Sequence, residues 1–233
     1  MALLTPQEWG IVELSLRVTI VAVAVATPVS FGLALLLARA RFPGKVLVDA
    51  LVHLPLVLPP VVTGWLLLIG FGVKGPIGSL LHDWFGLTLI FRWTGAALAS
   101  AIMALPLMVR AMRLSIEAVD RRLEGAARTL GASPSRVFWT ITVPLALPGV
   151  LAGAVLGFAR SIGEFGATIT FVSNIPGETQ TLPIAIYAAL QVPGSEGAVT
   201  RLAVISVVLS LGALVVSEIL SRRAGAGRGQ HVL

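Results

Sequence analysis

Between Arg17 and Arg39 lies an unbroken run of 21 uncharged residues, Val18–Ala38, and that run limits the folds open to this chain more than any other feature. At ~1.5 Å of rise per residue it crosses a ~30 Å hydrocarbon core as a helix. Comparable cores recur at Ala50–Val73, Trp93–Val109, Val137–Ala159 and Leu202–Ser217. The third and fifth are short, and snorkelling of the flanking Arg92, Arg110, Arg201 and Arg222 can lengthen them. With 56% hydrophobic and 12% charged residues and a mean hydropathy of +0.94, the chain is excluded from the soluble globular class. An all-α polytopic membrane bundle of about five spans is predicted. The first run is too long for a signal-peptide core and has no clear cleavage site, so it reads as a retained helix.

Between the fourth and fifth cores, residues 165–194 are apolar only in places, broken by Asn174, Pro176, Gly177, Glu178, Gln180, Pro183 and Gln191. A short surface or re-entrant helix near Leu182–Leu190 fits this segment, with a sixth span as the alternative. Residues 1–222 form one membrane domain, and the glycine-rich residues 223–233 have the composition of a disordered cytoplasmic tail.

The 17 basic residues against 11 acidic ones are accounted for by topology rather than by nucleic acid. One orientation places Arg39, Arg41, Lys45, Arg110, Arg113, Arg121, Arg122, Arg128, Arg136, Arg222, Arg223 and Arg228 on the cytoplasmic side. The N-terminus is then outside and the C-terminus inside.

Proline punctuates the spans: Pro28 in the first, Pro55, Pro59 and Pro60 in the second, Pro106 in the third, Pro144 and Pro148 at the start of the fourth. Each removes a backbone donor, which a membrane tolerates only where neighbouring helices or a watered cavity compensate. Collectively they favour a transporter over an anchor. Gly149, Gly153 and Gly157 recur every four residues and predict close helix packing on that face.

The loop at about 115–136 is structured. Ile116, Val119, Leu123, Ala126, Ala127 and Leu130 fall at helical spacing, opposite Glu117, Asp120, Arg121, Arg122 and Arg128. Gly131 then supplies a stop, and Ser133-Pro134 an N-cap followed by proline at the first helical position. Helix, sharp turn and helix are expected in that order.

Gly125-Ala126-Ala127, Gly131, Ile141 and Val143-Pro144 resemble the EAA loop of ABC-importer permeases in spacing. Gly125 stands where that pattern usually has Glu, with Glu124 one residue early, and Val143 stands where it has Leu. The segments His53–Val62 and Arg160–Thr179 are similar to permeases of the molybdate type in particular. Sulfate or thiosulfate permeases share related segments, so the anion remains open between molybdate, tungstate and sulfate. The resemblance implies a coupling helix seated on an ATPase subunit, with Glu124, Gly125, Ala126, Ala127, Arg128 and Gly131 at that contact. It further implies two ATPase copies, a periplasmic molybdate-binding protein, a second copy of this chain and a lipid surround.

Arg160 and Glu164 are four residues apart near the outer end of the fourth span, with Ser161 between them. Two readings stand: an ion pair that makes both tolerable at membrane depth, or an outer gate on the anion path. With no cysteine and three scattered histidines, neither a metal nor a cofactor site emerges, and His53 reads as a satisfied polar residue. A membrane enzyme lacks its nucleophile and base here, and a secondary transporter its internal repeats or intramembrane ion ligands. No G-x-x-x-x-G-K-[ST] loop is present, so ATP would be hydrolysed by a partner.

Overall fold

Small residues decide where the bundle is centred. In the computed structural model, which describes residues 4–226, helix α5 (Trp93–Glu117) buries Ala96, Ala97, Ala99, Ser100, Ala101 and Ala104. These let neighbouring backbones approach closely. Against it pack α1 (Pro6–Arg39) and α8 (Val143–Ile162), and the contact with α8 is the one the four-residue glycine repeat predicts. A Cβ on Gly149 would fall 2.1 Å from Ser115 Cβ, and one on Gly157 2.5 Å from Met108 Sδ. Replacing Gly149 with Val is therefore expected to cost about 1–3 kcal/mol, as overpacking of a close contact does. Thermal unfolding of the purified chain in detergent measures it, and an unchanged midpoint would contradict the packing.

The first helix is longer than its apolar core. Thr5 caps it, its Oγ1 accepting from the Glu8 amide (3.2 Å) while Glu8 Oε2 accepts from the Thr5 amide (2.8 Å), a reciprocal capping box.

The second predicted core, Ala50–Val73, is not one helix. It is α2 (Lys45–Val57) and α3 (Pro60–Phe71), bent by 116° at the Leu58-Pro59 break. Pro59 and Pro60 cannot donate backbone bonds, and a residue before proline is driven to extended backbone, as Leu58 is at φ −69°, ψ 142°. Among the described residues four helices are long and apolar enough to span, and counting the bent pair as one span gives five. A short α4 (Pro76–Phe85) follows before α5.

After α5 come α6 (Arg121–Thr129) and α7 (Pro134–Val137), which runs through a π turn at Phe138–Thr142 into α8. The π turn has a local cause. Pro144 has no N–H for the Thr140 carbonyl, and just before it the Val143 amide reaches back five residues to Phe138 O.

Beyond α8 lie α9 (Gly166–Val172), α10 (Leu182–Leu190) and α11 (Glu196–Ala226). The short helix α10 falls where the sequence predicts it. It is not a surface helix, however: Leu182, Ile184 and Ala185 are buried, and Leu182 and Ala185 cluster with Ile11 and Val12 of α1 and Leu202 of α11. Ser15 Oγ fastens it by accepting from the Leu182 amide at 2.7 Å. Helix α11 continues through Ala226, so residues 223–226, assigned to the tail, are helical; residues 227–233 lie outside the described residues.

Ion pairs sort the two ends of the bundle. At one end Arg201 meets Glu8 at 2.7 Å, and the Arg17 guanidinium lies 4.0 Å from the Trp93 ring centre. At the other, Arg39 meets Glu124 at 2.9 Å and Arg113 meets Asp49 at 3.1 Å. His53 Nδ1 is 2.8 Å from the Asp49 carbonyl oxygen, a satisfied polar residue as expected.

Candidate functional site

The loop from α5 to α8 is shaped by its caps. Asp120 begins α6, its Oδ1 accepting from the Arg122 amide at 2.8 Å. Gly131 ends it at φ +86°, where its N–H donates to Arg128 O and that of Ala132 to Ala127 O, both at 3.0 Å. That pair of bonds is the Schellman motif, whose left-handed position favours glycine. Ser133 Oγ then accepts from the Arg136 amide (3.3 Å) to start α7. The predicted sequence of helix, turn and helix is present.

The predicted single apolar face is not. Because α5 stops at Glu117 and α6 begins afresh at Arg121, Ile116 and Val119 are buried in the bundle while Leu123 and Leu130 point out of it. Leu130 is 88% exposed and Leu123 is 50% exposed, on a helix whose Arg121, Arg122 and Arg128 are also exposed. These bulky aliphatic groups stand in the open on an otherwise polar helix.

Glu124 does not share that outward direction. Its Oε1 accepts from Arg39 Nη2 at 2.9 Å and from Thr142 Oγ1 at 2.8 Å, and Arg39 Nη2 also reaches Ile116 O at 3.3 Å. The residue expected to face a partner is thus also engaged within the chain, by Arg39 and Thr142. One carboxylate joins α6 to the end of α1 and to the π turn that leads into α8, so the loop is braced to two spans. Gly125 and Ala126 are exposed, Ala127 is half-buried, and Arg128 is exposed. Arg39 and Thr142 were missed by sequence reasoning. Arg39 reads there only as a topological charge, and no local signal brings Thr142 beside residues 18 positions earlier.

At the opposite end, Arg160 Nη1 lies 2.7 Å from Glu164 Oε2, the ion pair that the four-residue spacing predicts. Glu164 is not on the helix with Arg160, because α8 ends at Ile162. It sits in the break before α9, where its Oε1 accepts from the Ala167 amide at 2.8 Å. Its side chain is 2% exposed and is held between the partly exposed Arg160 and the Ala167 amide. Ser161 is buried, its hydroxyl 3.4 Å from the Ser100 carbonyl of α5, which places it in packing between helices rather than beside the pair.

This break meets the other one. A Cβ on Gly166 would lie 2.7 Å from Pro60 Cβ, and one on Gly64 2.5 Å from the Ala167 carbonyl oxygen. The segments around residues 53–62 and 160–179, far apart in sequence, thus come together as α3 against α9. Next to them the turn at 173–181 is organised by buried Thr179, whose hydroxyl donates to Ser173 O and accepts from the Ile175 amide, both at 2.9 Å.

Residues 29–225 match the family model described as "Binding-protein-dependent transport system inner membrane component". The molybdenum transport system permease protein ModB of Escherichia coli (strain K12) is 58% identical over 228 residues, covering 97% of this chain and 100% of that protein. Its counterpart of the same name from Haemophilus influenzae is 56% identical over 223 residues, covering 96% and 97%. Among solved structures, a bacterial ABC transporter involved in the import of the acidic polysaccharide alginate superposes with a TM-score of 0.68 at 18% identity, over 96% of this chain and 80% of that one, a likeness of fold. This multi-pass membrane protein belongs to the family of binding-protein-dependent transport system inner membrane components, together with the molybdenum transport system permease proteins.

Proposed function

We propose that this chain is the permease subunit of an ATP-driven importer that carries molybdate, with tungstate as the close chemical substitute, across the bacterial inner membrane. The observation that carries the proposal is the end-to-end relationship to the molybdenum permeases, 58% identity over the whole of one relative. The orientation is the one derived from the basic residues, with the α6 end in the cytoplasm and the Glu8–Arg201 end outside.

In this scheme Leu123 and Leu130 seat α6 in a groove of an ABC ATPase subunit, with Ala126, Ala127 and Arg128 along the same contact. Gly131 fixes the angle at which α6 meets α7. The Arg39–Glu124–Thr142 cluster makes α6 and the roots of α1 and α8 move as one body, so closure of paired ATPases is transmitted to the spans. Helix α8 delivers that motion to its far end, where Arg160 and Glu164 clamp the break before α9 at the outer mouth. A periplasmic molybdate-binding protein docks at that mouth and supplies specificity outside the membrane. Five spans are too little wall for a path, and two copies of the chain enclose it, the exposed apolar sides of α3 and α11 meeting the second copy or lipid.

Uptake of labelled molybdate in cells expressing the chain with its ATPase and binding protein tests this directly. Uptake should require all three components, fall with excess tungstate and resist excess sulfate. Sulfate-sensitive uptake would assign the transporter to sulfate instead, and uptake without the ATPase would end the ATP-driven reading.

A further inference from the structure

Beneath α6 is a cavity of about 460 Å³. Its walls come from four elements: Arg39 near the end of α1, Arg121 and Arg128 on α6, Pro134 and Val137 of α7, and Thr142 in the π turn. Three arginines and one acidic residue, Glu124, are among the lining residues, an excess of two positive charges. That carboxylate is engaged by Arg39 and Thr142. Among the described residues, Arg121 and Arg128 have no acidic partner within ion-pair distance. The Nε of Arg39 is buried and donates to no acceptor there.

Such an arrangement suits a compact anion. A buried guanidinium donor left without an acceptor is unfavourable, and unpaired guanidinium groups around a shared space repel one another until an anion enters. Tetrahedral oxyanions present several acceptor oxygens to the flat forks of arginine, and the volume falls in the ~300–1,000 Å³ range of small-ligand sites. We propose that this cavity binds a tetrahedral oxyanion group, either a free oxyanion such as molybdate or phosphate or the phosphate of an anionic lipid headgroup. The occupant bridges Arg121 and Arg128 of α6 to Arg39 of α1. It adds a second brace beside the Glu124 cluster and stiffens α6 against the bundle.

The experiment uses the full chain in lipid nanodiscs. In phosphatidylcholine discs, molybdate and inorganic phosphate are each titrated by calorimetry. In a parallel set containing phosphatidylglycerol, amide hydrogen exchange is followed across residues 121–129. Saturable oxyanion binding that weakens by roughly tenfold or more in the Arg121→Gln, Arg128→Gln double variant supports the free-anion source. Slower exchange in phosphatidylglycerol than in phosphatidylcholine, lost in the same variant, supports the lipid source. Neither effect, or effects that persist in the double variant, would overturn the site.

Should that variant fail to fold, Gly125 offers a second approach. It lines the cavity, and a Cβ there meets nothing within 4 Å. Gly125→Glu brings a competing carboxylate to the cavity wall and should suppress binding or protection, while Gly125→Gln should retain it. Equal behaviour of the two would contradict the proposal. Because the readouts are binding and exchange rather than uptake, failure here is separable from failure of the permease assignment.

Discussion

Replacing Gly131 with Pro should abolish uptake while the chain still inserts and accumulates in the membrane. Gly131 holds φ +86°, and its N–H donates to the Arg128 carbonyl to close the end of α6. Proline locks φ near ~−65° and has no N–H, so it loses the bond and cannot adopt the angle. The turn between α6 and α7 then reorients, and the Leu123 and Leu130 surface leaves the ATPase groove proposed for it. A docking loss of ~3 kcal/mol corresponds to roughly a hundredfold weaker association with the ATPase. Space is not the constraint, because a Cβ at this position meets nothing within 4 Å. A graded series follows: Asn, which visits the left-handed region, should be mild, and Ala intermediate at ~1–2 kcal/mol. Co-purification of the ATPase and uptake per molecule of permease measure the series. Normal association and uptake in the proline variant would show that this turn does not position the coupling contact.

Much of this region was legible because its signals are local. Gly131, Ser133 and Pro134 mark a helix end and a helix start within four residues, and the structure places both there. Residues 5–8 carry an equally local signal, threonine, proline and then glutamate, which extends α1 well before Val18. The uncharged run alone does not contain it. The loop's apolar face was misjudged for a related reason: helical spacing continues numerically across Ala118–Asp120, but the chain breaks there, and Asp120 as an N-cap was the sign. Once α6 is started at Arg121, Leu123 and Leu130 stand alone at a spacing of seven.

Long-range pairings were a different matter. The partner of Glu124 is 85 residues away, and no periodicity within the loop points to Arg39. The bend at Pro59 was visible as a breaker, but its 116° angle depends on α3 leaning against α9, where Gly64 and Gly166 permit contact that any side chain would block. Tertiary contacts between two breaks set that geometry, and a sequence read along one line does not contain it. Arg160 and Glu164 lie between these cases: four-residue spacing predicts their pairing, whereas the end of α8 at Ile162, which frees Glu164 to cap α9, depends on how the break is packed.

That double engagement makes the Arg160–Glu164 pair the site of the second large effect. Arg160→Ala leaves the Glu164 carboxylate, 2% exposed, without its cation. Stranding one partner of a buried pair costs about 3–5 kcal/mol, a large share of the stability of a membrane domain. The reverse change is expected to be gentler. Glu164→Gln keeps an oxygen for the Ala167 amide, and the stranded Arg160 is 26% exposed and retains access to water. Glu164→Ala removes both the charge and the cap and should rank with Arg160→Ala, whereas combining Arg160→Ala with Glu164→Gln removes the stranded charge and should recover much of the loss. Abundance in the membrane and thermal stability in detergent give the order, with uptake normalised to abundance alongside. The clamp requires Arg160→Ala to lower abundance more than Glu164→Gln does and the double variant to restore it. Normal abundance of Arg160→Ala with lost uptake would instead put the guanidinium on the anion path, because a charge needed only by the passing oxyanion leaves the folded bundle intact when removed.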